Sequence, residues 1–191
     1  MKNKARWFLW HSILHQIAIF GQERTLKLSK RPFDSVVEMD RALVNNWNKT
    51  VSKDDTVFVL GDFGEFHYTK FLNGQIHLIK GNYSRHLSND ELRKYFDVVY
   101  TDDIVTKQIE RNGIIFNVSM THEPMNYINA NKTYIDRTHI NLFGHIHKLG
   151  LVKPFGVNTG SDCHCFYPID LETILFYHNS IFDYYDDNVF S

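Results

Sequence analysis

The segment Thr56-Val57-Phe58-Val59-Leu60-Gly61-Asp62 combines an apolar run with an abrupt polar end. The β-branched and aromatic residues predict a buried β-strand, and the glycine marks its end. Three further apolar strands are predicted to end in the same way, at Asn82, at His122 and at the pair His145 and His147. In open α/β sheets, ligands bind beyond the carboxyl ends of the strands, so this regularity predicts a binding site at that edge.

Strand-like and helix-like segments alternate on both sides of this stretch, which predicts the α/β class. Capping boxes at Ser35–Glu38 and Ser88–Glu91 predict two helices, the first with apolar residues at helical spacing and the second running to about Phe96. A short helix is expected over Glu65–Leu72. The other strands are predicted at 5–9, 75–79, 98–100, 104–109, 114–120, 140–143 and 151–158.

Length and composition predict one globular domain, 1–191, with 43% hydrophobic and 23% charged residues. The net charge of -1 favours neither an anionic membrane nor a nucleic-acid partner, although nucleic acid stays open. No apolar stretch approaches the roughly 20 residues of a membrane span, so we expect a soluble protein without a membrane partner. The neighbouring Cys163 and Cys165 are expected to be free thiols in a reducing, cytoplasmic compartment.

The motifs at the strand ends resemble, in order, those of the calcineurin-like metallophosphoesterase superfamily, in particular its small bacterial and phage branch. Gly61-Asp62 matches the Gly-Asp motif, Gly81-Asn82 begins the Gly-Asn-His motif, His122 matches the isolated histidine, and Gly144-His145-Ile146-His147 matches the closing Gly-His-x-His. The resemblance covers roughly residues 30–178. It includes the segments 31–33, 38–40, 46–48, 55–57, 121–124 and 158–162.

This resemblance implies a two-sheet α/β sandwich flanked by helices, with two divalent metal ions at the strand ends. Asp62 would bridge the metals, Asn82, His122 and His145 would complete the second site, and His147 would help to hold the first. Nitrogen and oxygen ligands without thiolate suit Mn, Fe, Zn or Ni. The implied activity is hydrolysis of a phosphodiester or phosphomonoester in a small phosphorylated substrate, nucleotides included. Water activated by the metals attacks, so no protein nucleophile is required.

Two features depart from the family pattern. The Asp-x-His motif that supplies ligands to the first metal is missing, and Trp10-His11-Ser12-Ile13-Leu14-His15 stands in its place. The second metal site is therefore the more secure, and His11 or His15 are the candidate substitutes at the first. The interrupted stretch is slightly short and the matching text resumes near 17–20, which suggests a local frame slip that resequencing would test.

The second departure is Tyr83, which follows Asn82 where most relatives carry the histidine credited with protonating the leaving group. The ordinary pKa of tyrosine, about 10, makes it a poor replacement at neutral pH. His86 is the nearest alternative in sequence.

Two other functions stay open at this stage. A catalytically impaired binding module with the same fold is favoured by the missing first motif, whereas the later motifs favour an enzyme. A structural zinc domain using His122, His145 and either Cys163 or Cys165 is the third reading. The remaining histidines are expected to be structural or exposed, with His164 the one most able to reach the edge of the site.

Overall fold

In the computed structural model, residues 13–16 are described by their backbone and residues 19–183 in full. The chain forms two five-stranded sheets. The first has the order β10-β1-β2-β3-β4, in which β1 to β4 are parallel and β10 is an antiparallel edge strand. Its strands are β1 (Ile13–Gln16), β2 (Thr56–Leu60), β3 (Gln75–Ile79), β4 (Val98–Tyr100) and β10 (Ile169–Asp170).

The second sheet has the order β5-β6-β7-β9-β8, with β6, β7 and β9 parallel. Its strands are β5 (Val105–Arg111), β6 (Ile114–Met120), β7 (His139–Phe143), β8 (Val152–Lys153) and β9 (Gly156–Asn158). The single strand predicted over 151–158 was wrong, because β8 and β9 form a short hairpin. Pro154 lies in the turn, where its missing amide hydrogen costs no ladder bond.

Helices cover the sheets, which confirms the predicted two-sheet α/β sandwich. They are α1 (Glu23–Leu28), α2 (Val36–Thr50), α3 (Asn89–Leu92), α4 (Met125–Asn129) and α5 (Leu171–Asp183), with 3₁₀ helices at Phe66–Phe71 and Ser161–Cys163. The capping box at Ser88 and Glu91 is complete, but its helix ends at Leu92. Ser35 caps α2, while the Glu38 carboxylate instead accepts from the Asp34 amide. No helix in the described part of the chain is long and apolar enough to cross a membrane.

The core has two parts that meet at β2. Phe58 and Leu60 pack into the cluster between the sheets, whereas Val57 and Val59 pack on the other face with the fully buried Trp47 of α2. Because β2 is buried on both faces, its sequence is a continuous apolar run and does not alternate between polar and apolar residues.

The first described strand, β1, follows the segment that was predicted as the first strand. The segment Ala5–Leu9 and His11 lie outside the described residues, and the strand beside β2 is Ile13–Gln16, with Ile13 paired to Thr56 and Gln16 to Val59. His15, a candidate ligand at the first metal, therefore lies within β1. The β-branched and apolar Ile13 and Leu14 suit a strand on the buried sheet.

Candidate metal centre

Four of the predicted ligands come together where strands of both sheets end. Asp62 follows β2, Asn82 follows β3, His122 follows β6 and His145 follows β7. The His122 Nε2 atom lies 3.5 Å from Asp62 Oδ2 and 3.2 Å from His145 Nδ1, and Asn82 Nδ2 lies 3.4 Å from the same His145 nitrogen. The strand-end regularity of the sequence thus corresponds to one side-chain cluster.

His122 joins the two sheets and has a defined tautomer. Its side chain is 1% exposed, and its Nδ1 atom lies 2.9 Å from the carbonyl oxygen of Leu60. Because a carbonyl can only accept, Nδ1 carries the proton and donates it. Nε2 faces Asp62 and His145: when it carries a proton it pairs with the Asp62 carboxylate, and when it does not it presents the lone pair that a histidine ligand needs.

The charges in the cluster also favour ligation. Burial on its own would raise the pKa of Asp62, but the hydrogen bond and charge of His122 and the Tyr83 amide, 2.9 Å from Oδ1, outweigh it and lower that pKa. Burial, together with His122, lowers the pKa of His145. The carboxylate is thus ionised and the His145 imidazole favours its neutral form, which are the states that bind metals.

His147 belongs to a different network. Its Nδ1 atom lies 3.1 Å from Asp162 Oδ2 and 3.1 Å from Ser29 Oγ. The Arg31 guanidinium donates to both carboxylate oxygens of Asp162, at 2.9 and 2.8 Å. Hydrogen bonding to a carboxylate through Nδ1 leaves Nε2 of His147 free for a ligand, in the manner of the carboxylate–histidine pairs behind many metal sites.

Sequence reasoning assigned no role to Ser29, Arg31 or Asp162. Arg31 and Asp162 stood in segments that resembled the family, which was the available signal. Their partnership spans 131 positions of the chain, so no local spacing reveals it.

The loop that carries His145 and His147 is strained. It follows β7, which ends at Phe143, and both histidines adopt positive φ angles, 64° and 49°. Such backbone costs a non-glycine residue roughly 1–2 kcal/mol. Asn158, fully buried at the end of β9, holds the loop by donating to the carbonyls of His147 (2.6 Å) and Gly150 (2.9 Å).

The cluster meets some of the requirements of a cation site. A cavity of about 10 Å³ lies between the side chains, close to the volume that holds one water-sized particle. Two ligands at about 2.1 Å from a tetrahedral metal are about 3.4 Å apart, which is close to the distances of His122 Nε2 from His145 Nδ1, 3.2 Å, and from Asp62 Oδ2, 3.5 Å. Across residues 13–16 and 19–183, no group of three or more His, Cys, Asp or Glu side chains stands ready to hold a metal. Donor types and pair distances fit a cation, and a complete shell requires side-chain reorientation. The small cavity is lined by Ile19, Asp62, His122, His145, His147, Gly160 and Asp162.

Other candidate residues lie away from the cluster. His86 is exposed and lines neither the small cavity nor the larger cleft beside it. His164 is buried, with Nε2 bonded to the Asn158 carbonyl at 2.8 Å and its ring against Tyr177. It is a structural residue.

Both cysteines are free, as expected. The Cys163 thiol donates to the His147 carbonyl, and burial raises its pKa to about 11. Cys165 is exposed. A zinc site would need a thiolate beside His122 and His145, so this arrangement gives the structural zinc reading no support.

Fold and cluster together define an α/β two-sheet protein with a candidate metal centre at its strand ends. No family model matches the chain. An uncharacterized protein of Methanocaldococcus jannaschii, MJ1445, is 34% identical over 74 residues, which span 35% of this chain and 42% of that relative. The match thus spans less than half of the relative's length.

A crystal structure of a protein of unknown function from Aquifex aeolicus, AQ665, is also similar. It superposes with a TM-score of 0.59 at 20% identity, over 85% of this chain and 97% of that one. At this identity the likeness concerns the fold alone.

Proposed function

We propose that this chain is a metal-dependent phosphoesterase of the calcineurin-like type, acting on a small phosphodiester or phosphomonoester. The observation that carries the proposal is the cluster of Asp62, His122 and His145, 3.2–3.5 Å apart at the strand ends of both sheets. A buried carboxylate among imidazoles beside an open cleft suits metal-assisted hydrolysis. The free thiols support a reducing, cytoplasmic location.

Asp62, Asn82, His122 and His145 would hold the more secure cation, with Asp62 shared with a second one beside His147. Two divalent cations, Mn, Fe, Zn or Ni, would supply Lewis-acid activation of water and of the phosphoryl group. The protein contributes orientation. The Tyr83 amide fixes one oxygen of Asp62, and the Leu60 carbonyl fixes the ring of His122.

A binding module of the same fold is the second candidate. One observation favours it: the described residues of β1 bring no aspartate to the first metal position. The two candidates differ in turnover but not in metal binding, so a rate measurement separates them.

The test is Mn²⁺-dependent hydrolysis of bis(p-nitrophenyl) phosphate by the wild type and by His145→Ala. We expect the variant to lose at least about 100-fold in rate, since losing even an outer-shell partner of a metal ligand costs about 10–100-fold. His67→Ala is the matched control, because His67 is exposed and pairs with the similarly exposed Glu65. Its rate is expected to equal that of the wild type.

Equal rates in wild type and His145→Ala, with both proteins folded by circular dichroism, would overturn catalysis at this cluster. Mn²⁺ binding by calorimetry without turnover would favour the binding module.

A further inference from the structure

A cleft of about 500 Å³ opens beside the metal centre and includes Asp62, Asn82, His145 and His147 in its lining. This volume lies within the range of about 300–1,000 Å³ that is typical of small-molecule sites. Asp62 is buried whereas Asn82 is exposed, so the cleft runs from a buried floor to an open mouth. A substrate that placed its phosphate at the floor would extend towards residues outside the cluster.

Two exposed cations line the same cleft. Arg24 comes from α1 and Lys148 from the loop just after His147. Neither side chain forms an ion pair or hydrogen bond with a residue in the described ranges. Several other surface arginines, in contrast, pair with carboxylates. Those arginines are Arg85, Arg93, Arg111 and Arg137. The one carboxylate in the lining, Asp62, lies at the buried floor, whereas Arg24 and Lys148 are exposed and have no carboxylate partner in the described ranges. Their unpaired positive charge favours an anionic group of the ligand away from the floor.

The cleft also has an apolar wall. Leu28 and Leu149 are 70% and 74% exposed, among the most exposed large apolar residues described, and both line the cleft with Ile146. They come from two different elements, α1 and the loop after β7, which also supply the two cations. Single exposed leucines need no explanation, but leucines that share one cleft with free cations provide a surface for a ligand with an apolar body and a charged group.

We propose that the substrate carries a second anionic group beyond the reacting phosphate and, beside the two, a group with an apolar face, as a nucleoside bisphosphate does with its second phosphate and its base. Arg24 and Lys148 bind the second anion, and Leu28 and Leu149 pack against the apolar face. This inference rests on the proposed function, since the reacting phosphate is assigned to the metal centre. It narrows the substrate class, and it assigns a role in substrate binding to four residues outside the metal-binding motifs.

The test is a comparison of dissociation constants for adenosine 3′,5′-bisphosphate and 5′-AMP, measured by calorimetry with and without Mn²⁺. We expect the wild type to bind the bisphosphate about 10-fold more tightly, since hydrogen bonds between charged partners are the stronger class. In Arg24→Gln/Lys148→Gln the ratio is expected to fall to about 1, with 5′-AMP affinity unchanged. Arg41→Gln/Lys132→Gln removes the same charge from exposed positions outside the cleft and is expected to keep the ratio.

A wild-type ratio near 1, no binding of either nucleotide, or a preserved ratio in Arg24→Gln/Lys148→Gln would overturn the inference. A ratio that falls equally in both double variants would also overturn it, since bulk charge would then be the cause. A ratio near ten without any Mn²⁺-dependent hydrolysis would keep the anion subsite and remove the phosphoesterase proposal, so the two failures are distinguishable.

Discussion

Replacing Asp162 with alanine is expected to lower the free energy of unfolding by about 3–5 kcal/mol, the range measured when one partner of a buried ion pair is removed. The side chains of Arg31 and Asp162 are 1% and 4% exposed. Without the carboxylate, the guanidinium stays buried without a counter-charge, and His147 loses its bond to Asp162 Oδ2. Urea denaturation followed by circular dichroism measures the change.

Glu172→Ala is the matched control for this variant. The pair between Arg111 and Glu172 is as short, 2.6 Å, but its side chains are 51% and 58% exposed. Water screens such a pair, so we expect a loss of at most about 1 kcal/mol. If both variants lost the same free energy of unfolding, burial of the ion pair would not be the cause of the large effect expected for Asp162→Ala. Arg31→Met/Asp162→Leu, which removes both charges, is expected to lose less than Asp162→Ala.

The contribution of Asp162 to the free energy of unfolding should also depend on pH. Burial on its own would raise the pKa of this carboxyl, but the hydrogen bonds from His147 and Arg31, together with the Arg31 charge, hold the pKa well below its ordinary value. A lowered pKa means stabilisation that is complete above the unfolded value of about 3.9 and is lost as the pH falls through the folded value. The difference between wild type and Asp162→Ala is therefore expected to shrink below about pH 4.

Gly61→Ala is the second substitution with a large expected effect. Gly61 has a φ of +111°, and a methyl group there would overlap the imidazole ring of His122. Backbone strain of about 1–2 kcal/mol and overpacking of about 1–3 kcal/mol add to a loss of about 2–5 kcal/mol. The displaced ring also breaks its bond to Leu60, so Mn²⁺ binding measured by calorimetry should weaken together with stability.

Gly113→Ala is the control that separates backbone strain from steric overlap with a neighbouring side chain. Gly113 has a φ of +78°, but a methyl group there meets nothing within 4 Å. We expect this variant to lose only the strain component, about 1–2 kcal/mol, and to bind Mn²⁺ like the wild type. Suppose that Gly61→Ala lost no more free energy of unfolding than Gly113→Ala and kept its Mn²⁺ affinity. The His122 ring would then not lie against the Gly61 backbone, contrary to the structure.

The strand-end residues show how far sequence reasoning reached. Asp62, Asn82, His122 and His145 were predicted to meet because each follows an apolar strand, and they do meet. The prediction worked because parallel strands deliver their carboxyl ends to one edge, a property of the backbone that needs no side-chain detail.

The sequence did not reveal the contacts that remote segments make with His147. The Nδ1 atom of this residue pairs with Asp162, and the fully buried Asn158 holds its backbone at a φ of 49°. A positive φ at a histidine has no local signature, because it is imposed by tertiary contacts that outweigh the intrinsic cost.

By itself, then, the sequence determined the α/β class, the buried strand over 56–60 and the edge of the sheets at which the candidate site lies. These three features follow from residue periodicity and from the turn residues at the strand ends. Only the tertiary structure decided which nitrogen of His122 carries the proton, and only it joined Arg31 to Asp162 across 131 positions and placed Arg24 and Lys148 in one cleft. These features depend on packing between the sheets and their loops, and burial makes the polar partners obligatory because an unpaired buried charge is too costly to keep.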